Sequence, residues 1–139
     1  MLKRQDLQNE WENIVAKGTL QYNLLNRDER VWFNIEPLTN SGLIDHYTNY
    51  GAEKKPDLIE DLNYLGLNEI SNLFQEVNNF FKEKKPPKNI EDRNNEIFDW
   101  SDEKKETLEN NEKIFWSKVN FLEKILLSHI NKNIIADNR

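Results

Sequence analysis

Ile70-Ser71-Asn72-Leu73-Phe74-Gln75-Glu76-Val77-Asn78-Asn79-Phe80-Phe81 places Ile70, Leu73, Phe74, Val77, Phe80 and Phe81 three and four residues apart. That period lines one face of an α-helix, and a face this apolar belongs against a core. The reading extends upstream. Lys55-Pro56-Asp57 restarts the chain, Leu58, Leu62 and Leu65 make a second stripe, and Gly66 closes it. Downstream, Lys82 to Lys88 is basic and contains Pro86-Pro87, which excludes regular helix and predicts a loop.

The outer segments follow the same period. Leu7, Trp11, Ile14 and Val15 predict a first helix over about Leu2 to Lys17, with Gly18 as its stop. Leu20, Leu24 and Leu25 lead into Val31, Trp32 and Ile35, and Pro37 bends or ends that helix because it lacks a backbone donor. Ser41 to Asn49 is a short segment ending at Tyr50-Gly51. Ser101-Asp102-Glu103-Lys104 reads as a helix start, with a hydroxyl cap and acids facing the positive end of the dipole. The last helix then carries Leu108, Phe115, Val119, Leu122, Leu126 and Ile130 on one face and runs toward Ile134. Alternating patterns are short and β-branched residues are scattered, so no strand is predicted. The expected fold is all-α: a compact single-domain multi-helix bundle spanning residues 1–139.

Composition bounds the function. The 139 residues are 37% apolar and 32% charged, with 11% aromatics, an aromatic supply that disordered chains lack. Absence of cysteine removes disulfides, thiol catalysis and cysteine zinc sites, and permits a reducing compartment. The charged amino terminus has no apolar core of signal-peptide length, and no stretch approaches the roughly 20 apolar residues that span a bilayer. A cytoplasmic location is expected. The net charge of −6 argues against direct binding to nucleic acid or to anionic membrane, both of which need a cationic face. It suits a basic protein partner, or solubility alone.

The charge is local. Glu91 to Glu112 holds nine acids against Arg93, Lys104 and Lys105, a net of −6, so the remainder of the chain sums to zero. Asp99, Asp102, Glu103, Glu106 and Glu109 are the candidate partner-binding residues in this segment. Trp100 lies among them in Ile97-Phe98-Asp99-Trp100 and has two readings: an exposed aromatic anchor for a partner, or, with Ile97 and Phe98, a pin holding the segment to the core. Trp11, Trp32 and Trp116 lie on apolar stripes and are expected in the core.

Asn40-Ser41-Gly42-Leu43-Ile44-Asp45-His46-Tyr47-Thr48-Asn49-Tyr50-Gly51 resembles the signature of a bacterial family of unknown-function domains whose best described member is a DNA-mimic protein. Asn40, Gly42, Tyr47, Asn49 and Gly51 match that signature, whereas Ser41, Leu43 and Asp45 depart from it. Leu62 to Leu67 and Leu108 to Trp116 resemble later segments of the family, so the similarity covers about residues 28–131. The resemblance implies an all-helical fold and an acidic surface that imitates the phosphates of duplex DNA on a repressor's DNA-binding face. Duplex DNA presents one charge per roughly 1.7 Å of axis, a density that lysines interleaved at Lys54, Lys55, Lys104 and Lys105 would dilute.

Within the motif, Gly42 and Gly51 suit a left-handed turn or a close helix approach, and Asn40 and Asn49 can satisfy backbone groups at a bend. The functional alternative gathers Glu36, Asn40, Gly42, Asp45, His46, Tyr47, Asn49 and Gly51 around a polar pocket. Asp45 beside His46 is the one pairing that suggests acid–base chemistry or a small ligand. His129 sits on the apolar stripe of the last helix and reads as a hydrogen-bonded core residue. Adjacent Glu60 and Asp61 point in different directions on a helix and read as solvated. No phosphate loop, nucleophile elbow or metal-ligand spacing occurs, so no catalytic residue, metal or cofactor is expected. The reading is a non-enzymatic binding protein, monomer or homodimer, that inhibits a DNA-binding regulator or other basic protein. An immunity protein that neutralises a toxin is the alternative, and an enzyme or ligand-binding protein using Asp45 and His46 is the second alternative.

Overall fold

In the computed structural model, which describes residues 1–136, the central stretch forms helix α6 (Asn68–Asn78), with Ile70, Phe74 and Val77 buried. Around it the chain runs α1 (Gln8–Leu20), α2 (Arg27–Ile35), α3 (Leu38–Thr48), α4 (Gly51–Lys54) and α5 (Leu58–Tyr64). It continues beyond α6 through α7 (Ile90–Phe98) and α8 (Asp102–Ile130). No strand occurs among the described residues, and the fold is an all-α multi-helix domain. The 29 residues of α8 make a rod about 43 Å long at 1.5 Å per residue, against which α2, α3 and α6 pack. Leu108, Phe115, Leu122, Leu126 and Ile130 form its buried stripe, as their spacing predicts. Phe74 meets Phe115 edge-on at 6.2 Å and Tyr47 at 6.1 Å, so three helices share one aromatic contact at the centre.

Helix starts follow side-chain caps. Asn26 accepts the Glu29 amide at 2.9 Å while Glu29 accepts the Asn26 amide at 3.0 Å, a reciprocal box opening α2. Ser101 accepts the Lys104 amide at 3.2 Å, as read from the sequence. Pro37 ends α2 and begins α3, so the motif helix starts three residues earlier than Ser41. Beyond α8 the chain adds one π-type turn, Asn131–Ile135, with Ile134 buried.

Several expectations are corrected. Gly18 does not stop the first helix, which runs to Leu20; it is buried because a Cβ there would lie 2.6 Å from the Phe33 ring. Leu20 and Leu24 are exposed, and Leu25 alone of that group enters the core. The acidic segment before Trp100, for which the sequence predicts no helix, forms α7, opened by Asn89 accepting the amides of Glu91 and Asp92. Trp116 is 40% exposed at the rim of α8, unlike buried Trp32. Asp61 is not solvated. It is fully buried, gripped through both oxygens by Arg30 at 2.5 to 3.2 Å and by Asn34 at 2.7 Å. Burial pushes its carboxyl up, and those hydrogen bonds draw it back.

Candidate functional site

Of the nine acids between Glu91 and Glu112, five candidates, Asp99, Asp102, Glu103, Glu106 and Glu109, are exposed, and none forms an ion pair among the described residues. Asp102, Glu106 and Glu109 are spaced i, i+4, i+7 and share one stripe of α8, with Glu103 beside it and Asp99 at the preceding turn. Four carboxylates fall within about 10 Å of helix, roughly one per 3.5 Å, close to the phosphate spacing of one DNA strand. Lys113, one turn on, ends the stripe.

Of the three cations of the segment, only Arg93 is withdrawn from the surface, while Lys104 and Lys105 stay partly exposed. Arg93 is fully buried and donates to the carbonyls of Tyr47 at 2.9 Å, Pro87 at 3.0 Å, Lys88 at 2.7 Å and Asn49. Lys104 turns toward the Phe80 ring, 5.7 Å away, and Lys105 lies 5.3 Å over the Phe98 ring. Lys54 and Lys55, the other cations named as diluents, belong to the far end of α4.

Trp100 is corrected. It is 8% exposed, edge-on to Phe81 at 4.9 Å and to Phe80 at 5.5 Å, so it pins the α7–α8 corner rather than meeting a partner. Phe98 is the aromatic that stands out, at 78% exposure beneath Lys105. Its position between two acids in sequence gave no way to distinguish it from Trp100. Two acids of the segment also leave the face. Glu96 accepts the Lys82 amide at 3.2 Å, and Glu112 accepts the Leu43 amide at 2.8 Å.

That Leu43 amide is free because Gly42 breaks the helical ladder at φ +82°, a conformation that glycine adopts without strain. A Cβ on Gly42 would lie 2.5 Å from Glu112 and 2.7 Å from Trp116, so the residue also admits α8. Gly51 does the same for His46, whose Nδ1 would be 2.6 Å from an added Cβ. The motif therefore docks α3 on α8 and folds α4 over His46. Tyr47 is fully buried, with its hydroxyl 2.9 Å from the Phe74 carbonyl and 2.7 Å from the Asn78 carboxamide. Arg93 and Asn94 take the carbonyls at the end of α3, a role for which the sequence offers no periodic signal.

Five of the eight motif residues, Gly42, Asp45, His46, Asn49 and Gly51, line one cavity of 230 Å³, whereas Glu36, Asn40 and buried Tyr47 lie outside it. Glu36 pairs with Arg4 and, with exposed Asn40, lines a 300 Å³ cavity beside Trp11 and Trp32. Asp45 is bound by Asn49 at 2.5 Å and makes no hydrogen bond to His46, so the adjacent pair is not coupled. His46 is 8% exposed, and burial, followed by the charges of Lys55 and Arg93, pushes it down to about 3, which keeps the ring neutral. Among the described residues no group of three acidic or histidine side chains is placed to hold a metal, and no helix is long and apolar enough to cross a membrane.

The profile of the DMP19-like protein family matches residues 23–133, most of the chain and all of α2 to α8. The chain belongs to the DMP19-like protein family. The matched span includes the Gly42 kink, the Arg93 clamp and the whole acidic face. No curated protein and no solved structure matches the chain.

Proposed function

We propose that this DMP19-like protein acts by binding a basic protein, without catalysis, and that its acidic face takes the place of a DNA strand on a DNA-binding partner. The observation supporting this reading is the arrangement of charge. Asp99, Asp102, Glu103, Glu106 and Glu109 face solvent without ion-pair partners among the described residues, while Arg93 is buried against carbonyls and Lys104 and Lys105 lie over aromatic rings. The family membership is in keeping with the mimicry its resemblance suggested.

The test compares wild-type bait with the Asp99→Lys, Asp102→Lys, Glu103→Lys, Glu106→Lys variant in lysate of the native cell, with duplex DNA as competitor. The reading expects a DNA-binding protein held by wild type, released by the duplex and by salt, and lost from the variant. A partner held equally by both baits sinks the acidic face. A captured toxin that the duplex does not displace overturns mimicry in favour of an immunity role.

A further inference from the structure

An open cleft of 920 Å³ lies away from the exposed α8 stripe, between α4, α5, α6, the Lys82–Lys88 loop and α7. That volume suits a small organic molecule. Its floor is apolar and aromatic, with Leu58 and Phe74 buried and Ile59 beside them. Of the polar groups beside this floor, Tyr47 and Asn78 hydrogen-bond each other, and His46 and Lys55 remain. His46 is more than nine-tenths buried, and neither ring nitrogen has a hydrogen-bond partner among the described residues; Nδ1 is wholly shielded from solvent. Lys55 is half-buried, 5.0 Å over the Phe33 ring, and among the described residues no carboxylate lies within ion-pair distance. Both also line an adjoining cavity of 230 Å³, so they are reached from either space.

Five carboxylates, Glu53, Glu83, Asp92, Glu96 and Asp99, and three further lysines, Lys82, Lys85 and Lys88, also line the cleft. The carboxylates do not neutralise Lys55. Glu96 is engaged by the Lys82 amide, Glu53 acts on buried Arg93, and Glu83, Asp92 and Asp99 are exposed at the lip. A partly desolvated ammonium with no counter-charge is costly, and an anion seated against it removes that cost. Exposed Lys82, Lys85 and Lys88 balance the three acids of the lip, so selectivity rests on the apolar floor, which a ligand without an apolar body does not use.

The geometry points to a binding site for a small organic monoanion of the carboxylate class. Its carboxylate would sit against the Lys55 ammonium and the His46 ring N–H, and its apolar body would lie on Leu58, Ile59 and Phe74. This inference is independent of the acidic face, and Asp99 is the only residue common to both.

The test is nuclear magnetic resonance titration of the full chain with phenylacetate, and with its neutral isostere phenylacetamide and pyrophosphate as comparisons. Phenylacetate should shift the Ala52, Lys55, Phe74 and Asn78 amides saturably, in the millimolar range expected of about ten heavy atoms. Phenylacetamide should bind about tenfold more weakly, and Lys55→Met, which keeps the stem, should weaken phenylacetate by a similar factor. Lys113→Gln, outside the cleft, should change nothing. Absence of saturation at about 10 mM overturns the proposal. So does equal binding of phenylacetamide or of pyrophosphate, or an unaltered affinity in folded Lys55→Met. The phenylacetamide arm needs no variant, so it decides the matter even if Lys55→Met fails to fold.

Discussion

The acids at the α2–α5 contact and the five exposed acids at the α7–α8 corner, Asp99, Asp102, Glu103, Glu106 and Glu109, have opposite fates. Between α2 and α5, Arg30 reaches Asp57, Glu60 and Asp61, Arg27 reaches Glu60, and Tyr22 donates to Asp57 at 2.9 Å. Glu29 takes Lys17 at 2.9 Å, and Asp28 lies 3.1 Å from His129. At the start of α8, Asp102, Glu103, Glu106 and Glu109 have no such neighbours among the described residues. The first group holds helices together, and its charge is consumed within the molecule. The second contributes little to the fold, and its charge remains available outside.

Removing one member of the consumed group is the strongest way to break the contrast. Asp61→Ala leaves Arg30 and Asn34 facing a buried gap, and the loss should be about 3 to 5 kcal/mol by chemical denaturation. A loss below about 1 kcal/mol would show that this network is as dispensable as the exposed stripe. Arg30 itself is held above its ordinary value, first by the hydrogen bond to Asp61.

Acid titration gives a smaller, graded effect. Burial depresses both His46 and His129, and for His129 it outweighs the opposing pull of Asp28. A histidine whose folded pKa lies below 6.5 binds its proton more readily when unfolded, so stability rises with pH up to 6.5 and is lost as pH falls below it. For His46 the window extends down to about 3. Denaturation midpoints measured between pH 7 and pH 4 should show at most about 1.4 kcal/mol lost per pH unit for each histidine. His46→Gln should flatten part of that slope. An identical slope in the variant would remove His46 from the account.

The fold was legible wherever hydrophobic period and capping chemistry act alone. Ile70 to Phe81, Ser101 and the α8 stripe are such places, since their readings depend only on neighbours three or four residues away. What failed to read involves partners distant in sequence. Gly18 resembles a helix stop until Phe33 is placed against it, and Asp61 resembles a solvated acid until Arg30 arrives from α2. Trp100 and Phe98 are two residues apart in the same acidic setting, and only the Phe80–Phe81 end of the α6 segment decides which is buried. For the candidate site, Gly42 and Gly51 were legible as glycines that permit close approach. The pocket was legible in part: Asp45, His46 and Asn49 do line one cavity, but Glu36 turns to Arg4, a partner distant in sequence, and Asp45 to Asn49 rather than to His46.

The finest test of the contrast is stability rather than binding. Surface charges without partners are worth within about 0.5 kcal/mol each, so Glu106→Gln and Glu109→Gln should leave the denaturation midpoint nearly unchanged at 0.15 M salt. A small gain is the expected direction, because Asp102, Glu106 and Glu109 repel one another at helical spacings of three and four. At low salt the gain should grow, since the Debye length there exceeds the spacing of one helical turn. A loss of more than about 1 kcal/mol would mean that these carboxylates support the fold, and the charge on α8 would then belong with that of Asp61, consumed within the molecule.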